Sequence, residues 1–167
     1  MSNPLLIDKN FNQPPKFSQI QNEHFKPAIE SLIEESRTEI AHIVENQETP
    51  SFNNTIEALE KSGKALDRAS AIFFNLNSAE TNDEIQALAR EISPLLTEFS
   101  NDILLNEGLF RKVKIVFEET DHTLLNPEQK TLLEKTYKGF QRNGALLNDE
   151  QKKELRTIDV ELAQKSL

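Results

Sequence analysis

The sequence predicts an all-α protein of about six helices in an antiparallel bundle or layered array, preceded by an extended Pro-containing N-terminal arm. Three observations predict it. Apolar residues recur at three- and four-residue steps through most of the chain, which places them on one side of a helix. No stretch sustains two-residue alternation with β-branched enrichment, so no strand is expected. Several periodic segments open on Asn or Thr with Glu or Gln three residues later, the reciprocal side-chain cap of a helix N-terminus.

Residues 1–21 contain Pro4, Pro14 and Pro15 and have no helical period; they are expected to form an extended arm able to pack along a surface. Residues 22–167 form the helical domain. From Asn22 to about Asn46, before Pro50, one face carries Phe25, Ala28, Ile29, Leu32, Ile33, Ser36, Ile40 and Ile43. Pro27 is placed in the first turn, where its missing N–H matters little. A second helix is expected from Asn54 as N-cap with Glu57, and Ile56, Leu59, Gly63, Leu66, Ser70 and Phe73 form a narrow seam along it. Gly inside a helix costs about 1 kcal/mol relative to Ala. Close approach of a neighbouring helix is the expected reason for Gly63.

The stretch "FFNLNSAETNDE" (73–84) reads as a turn between helices: Phe73, Phe74 and Leu76 close one, and Thr81 with Glu84 caps the next. As a calcium loop it fails. Counted from Asn75, the sixth position is Glu80 where Gly is needed, and the twelfth is Gln86 where Glu is needed. The third helix carries Ile85, Leu88, Ile92, Leu95, Phe99 and Ile103, with a kink at Pro94 or a restart capped by Ser93. A shorter segment holds Leu109, Val113, Val116 and Phe117. The fifth begins at Asn126–Pro127–Glu128, buries Leu132, Leu133, Tyr137 and Phe140, and stops at Gly144. The sixth begins at Asn148 with Gln151 and carries Leu155, Ile158 and Leu162. It runs out in "VELAQKSL" without a Gly, Asn or Pro terminator, which suggests a chain cut from something longer. No convincing internal repeat is present.

Composition narrows the function. A hydrophobic share of 37% is enough to build a core in a single domain of this length. The net charge of −9, with no Lys/Arg cluster among aromatics, argues against a nucleic-acid binder. There is no cysteine, which removes disulfides, thiol catalysis and thiolate metal sites. No apolar run approaches the ~18 residues of a membrane span, and the N-terminus lacks the pattern of a signal peptide. A cytoplasmic protein is the expectation.

Candidate chemistry is sparse. His24, His42 and His122 are too far apart in sequence for a His-Glu-x-x-His helix, and surface or capping roles are expected for all three. The pairs Glu34/Glu35, Glu118/Glu119 and Asp149/Glu150 are sequence neighbours on solvated helices, which does not make a shared acid–base cleft. No nucleophile elbow and no Gly-rich phosphate loop is present. Asn53–Asn54–Thr55 matches a glycosylation sequon, but a helix cap explains the same residues. The expectation is therefore no catalytic, cofactor-binding or metal-ligating residue in this chain.

The segment "FNNTIEALEKSGKALDRASAIFFNLNSAETNDEIQAL" (52–88) resembles the N-terminal region of bacterial peptidyl-dipeptidases, in the thimet oligopeptidase, neurolysin and oligopeptidase A family of zinc metallopeptidases. The resemblance extends to "PPKFSQIQNEHFKPAIE", "NDILLNEGLFRKV" and "LLEKTYKGFQRNGA", so it covers nearly the whole chain in order. It implies an all-α parent with two lobes around a deep channel, one zinc ion held by a His-Glu-x-x-His helix and a later Glu, and release of C-terminal dipeptides from short peptides. None of those catalytic residues has a matching position here. The resemblance leaves this chain as a channel-wall domain, inactive by itself, whose partner is the catalytic domain of the same parent. It also implies an apolar seam that the missing part would cover. The alternative is a free-standing helical interaction module without peptidase activity.

Overall fold

The structure, a computed structural model, describes residues 3–7 and 13–166, and among these there is no strand. Within the N-terminal segment, Pro4–Ile7 makes one helical turn (α1) and Phe17–Gln19 a 3-10 turn. α2, Asn22–Glu45, is the spine. Its buried residues are Phe25, Ala28, Ile29, Leu32, Ile33, Ser36, Ile40 and Ile43, the set that the apolar period selects. Its 24 residues span roughly 36 Å, enough to serve two cores in succession.

The first core joins the N-terminal half of α2 to α4 (Lys64–Ala79) and α5 (Asp83–Leu104), through Phe25, Ile29, Leu66, Phe73, Ile92 and Phe99 among others; Leu5 and Leu6 of α1 pack on it. The second joins the C-terminal half of α2 to Phe52–Glu57, α6 (Glu107–Glu119) and α7 (Pro127–Arg142). Ile103 of α5 packs against both. α3 (Ala58–Lys61) is a single turn following Phe52–Glu57, and α8 (Asp149–Lys165) lies against α5.

Several local expectations need correction. Helix α2 starts at Asn22, so Pro27 lies in its second turn and deprives the Glu23 carbonyl of its backbone partner. Full burial of Ala28 and Ile29 beside it holds the helix through that defect. The second predicted helix is divided. Its cap is Ser51, whose Oγ accepts from the Asn54 N–H at 3.2 Å while Asn54 Oδ1 accepts from the Ser51 N–H at 2.8 Å. Asn54 is thus the returning arm of the cap rather than the cap itself, and the chain is π-helical over Phe52–Glu57. It then breaks at Gly63, whose φ of 70° favours glycine and whose N–H donates to Glu39 Oε2 at 2.7 Å. A Cβ there would sit 3.6 Å from Ser36 Oγ, an ordinary contact, so the positive φ and not close packing is what requires glycine.

In the turn that follows, α4 continues through Ala79, so "FFNLNSA" is helical throughout. The next cap is Asn82, one residue beyond Thr81; its Oδ1 accepts from the Ile85 N–H at 2.9 Å. Asn caps better than Thr, and this register puts Asp83 and Glu84 at the positive end of the helix dipole. α5 then runs unbroken through Pro94, with no restart at Ser93. Caps at Asn126 with Gln129 and at Asn148 with Gln151 form as the sequence predicts. Gly144, with φ 94°, turns the chain after α7.

The azimuth of α8 also differs. Its buried or half-buried residues are Lys152, Leu155, Arg156, Asp159, Val160 and Ala163, whereas Ile158 and Leu162 are 52% and 62% exposed. Ion pairs accompany this orientation: Lys152 Nζ meets Glu107 Oε1 at 2.7 Å, and Arg156 Nη1 meets Asp102 Oδ1 at 2.8 Å.

Candidate functional site

The largest constellation of charged groups lies where α2, α5 and α8 meet. α5 carries Asp102 one residue before Ile103, the side chain shared by the two cores, so its position is fixed by packing. Its carboxylate divides its oxygens between two helices: Oδ2 accepts from Arg37 Nη2 of α2 at 2.7 Å, and Oδ1 from Arg156 Nη1 of α8 at 2.8 Å. Arg37 also donates to Glu34 one turn earlier, and Arg156 Nη2 donates to the Asn101 carbonyl at 3.3 Å. The Arg37 guanidinium is held above its ordinary range first by its hydrogen bond to Asp102, with burial opposing.

This junction separates two hollows. A groove of about 520 Å³ runs between α5 and α8, past Glu98, Asn101, Thr157, Val160 and Glu161. A hollow of about 280 Å³ lies between α2 and α5, against Ile40, Ala41, Val44 and Asn106. Arg37 and Asp102 line both. Since both oxygens of Asp102 are engaged, the cluster ties three helices together and offers no free base. Local spacing could not have found it, because Arg37 and Asp102 are 65 residues apart and Asp102 and Arg156 are 54 apart.

The residues singled out in the sequence are dispersed. His24 Nδ1 accepts from the Gln21 N–H at 3.0 Å, part of the cap of α2. The carbonyl of His42 accepts from the Asn46 N–H at 3.1 Å, at the far end of the same helix. His122 Nε2 lies 2.9 Å from the Phe117 carbonyl, with its ring edge-on to Phe117. Glu34 pairs with Arg37, and Glu118 with Lys114 at 3.8 Å. Asp149 and Glu150 occupy the first turn of α8. Thr55 of the sequon is buried, and Asn54 is the returning arm of the Ser51 cap. Among the described residues no group of three His, Asp or Glu side chains is placed to hold a metal ion. Asp67, in the first turn of α4, is pushed up by burial and then by Glu60.

These features define an all-α domain in which ion pairs join α2, α5 and α8. The chain belongs to the neurolysin/thimet oligopeptidase N-terminal domain family, whose model matches residues 29–152. It is 39% identical to the dipeptidyl carboxypeptidase of Escherichia coli (strain K12), over 96% of this chain and 24% of that protein. Against the oligopeptidase A of Haemophilus influenzae it is 29% identical over 98% of this chain and 24% of the relative. A thimet-like oligopeptidase of Dictyostelium discoideum is 27% identical over 87% and 22% respectively. The chain thus spans about a quarter of the length of the curated relatives it matches.

Proposed function

We propose that this chain is the N-terminal helical domain of a longer, cytoplasmic zinc metallopeptidase that releases dipeptides from the C-termini of short peptides, and that it forms part of the channel wall limiting access to the catalytic domain. The observation that carries this reading is the 39% identity to a dipeptidyl carboxypeptidase across nearly all of this chain. The ion-paired junction of α2, α5 and α8 supports it, because a wall that excludes larger substrates needs helices held at fixed separations. No helix among the described residues is long and apolar enough to cross a membrane. The chemistry would lie outside this chain, whose three histidines include no His-Glu-x-x-His pair. The test is dipeptide release from short peptides by the longest natural polypeptide containing this sequence. Activity lost to a chelator and restored by zinc is expected, and the 167-residue chain should show none. A polypeptide that continues beyond Leu167 without His-Glu-x-x-His and releases no dipeptide would refute the proposal.

A further inference from the structure

Helix α8 turns a mixed, partly charged aspect inward and leaves an apolar stripe exposed. The covered aspect, centred on Lys152, Arg156 and Ala163, lies against α5. Ile158 and Leu162 lie about 140° and 100° around the helix from its centre. Leu155 stands between the two aspects and continues the three- and four-residue steps of the exposed pair. A single exposed leucine carries no information. Here two large aliphatic side chains line up one turn apart, while Lys153, Glu154, Thr157, Glu161 and Gln164 make the remaining exposed surface polar. Rotating the stripe toward α5 would break the Lys152–Glu107 and Arg156–Asp102 pairs.

The family match ends at residue 152, early in α8, whereas similarity to the relatives runs over 96–98% of this chain and leaves about three quarters of each relative unmatched. We infer that the Ile158–Leu162 stripe is the face on which the polypeptide C-terminal to residue 167 docks, as an amphipathic helix laid along α8 with an apolar seam of the same period. This rests on the reading of the chain as the N-terminal part of a longer protein.

The chain contains no cysteine, so a thiol placed at Leu162 is its single reporter. Leu162→Cys and, as an exposed control on the other side of α8, Lys153→Cys are labelled with a maleimide in the longest natural polypeptide, and the reporter peptide is followed by mass. Labelling at 162 should be at least about tenfold slower than at 153 in the longer polypeptide, with the difference gone in the 167-residue chain. Ile158→Cys repeats the measurement should Leu162→Cys fail to fold. Equal rates in the longer polypeptide overturn the inference, as does a natural polypeptide that ends at Leu167. Protection in the 167-residue chain that grows with its concentration assigns the stripe to a second copy and overturns it too. The readout is separate from catalysis: a protected polypeptide without dipeptide release keeps this inference and removes the peptidase reading, and an active polypeptide without protection does the reverse.

Discussion

Gly139 and Gly144 flank the end of α7, and alanine should act on them in opposite directions. Gly144 has φ 94°, and a Cβ added there would stand 2.7 Å from Leu155 Cδ2 and 3.1 Å from both Leu105 Cδ2 and Leu147 Cδ1. A non-glycine residue in the left-handed region costs roughly 1–2 kcal/mol, and forcing a methyl among packed side chains adds roughly 1–3 kcal/mol. Gly144→Ala should therefore lose about 2–5 kcal/mol, or roughly 4–20 °C in Tm for a domain of this size. Gly139 lies inside α7 with open space where its Cβ would be. Gly139→Ala should gain about 0.5–1 kcal/mol from the lower entropy of the unfolded chain and the higher helix propensity, raising Tm by about 1–4 °C. Thermal melts followed by far-UV circular dichroism measure both. A Gly144→Ala protein as stable as the parent, or a Gly139→Ala protein destabilised to the same degree, would refute the assignment of Gly144 as the position that fixes how α8 enters.

Four further outcomes are expected. Asn82→Ala should lose about 1 kcal/mol in urea unfolding while Thr81→Ala stays near zero, because only Asn82 caps α5; the reverse order would restore the sequence-based cap. Asp102→Asn should cost less than about 1 kcal/mol, since its side chain and both arginines keep 38–42% of their surface exposed, and 1 M salt should shrink that difference further; a larger loss that salt leaves unchanged would mean the junction behaves as a buried site. Acidification should lower Tm below about pH 4.5, where Glu107, held below its usual range by Lys152, and Glu134, held there by Lys138, take up protons. Each contributes stability that is present above its unfolded pKa and lost as the pH falls through its folded value. Asp67 has the opposite sign: Asp67→Asn should raise Tm at pH 7, and that gain should vanish below pH 3.8. A Tm that stays flat from pH 7 to 3 in the Asp67→Asn protein contradicts the two glutamate assignments, and an Asp67→Asn gain that persists at pH 3 contradicts the third.

Much of the fold was legible because burial on one side of a helix leaves a period in the sequence, and α2 shows it at each of its eight buried positions. The period fails where it runs through a break. Ile56, Leu59, Leu66 and Phe73 keep their spacing across Gly63 because the segments before and after it both face α2, and no spacing rule reports a positive φ. Caps were legible at Asn126 and Asn148, where one residue competes for the role, and misassigned at Thr81/Asn82 and Ser51/Asn54, where two do. In α8 the apolar stripe was visible, but the side that the domain covers was not. That side carries Lys152 and Arg156, whose partners lie 45 and 54 residues away.

The position of the Gly63 break explains how one chain fills two cores along one spine. Phe52 and Ile56 before it serve the second core, Leu66 and Phe73 after it serve the first, and the crossing occurs beside Ser36, the small buried residue of α2 between them. The Ser36 hydroxyl is satisfied within its own helix, donating to the Leu32 carbonyl at 2.7 Å. From there the second strap is α5, which reaches both cores at Ile103 and offers Asp102 to α2 and α8 at once. Ion pairs this exposed contribute little stability; they join α5 to α2 and to α8 in the orientation that leaves Ile158 and Leu162 exposed.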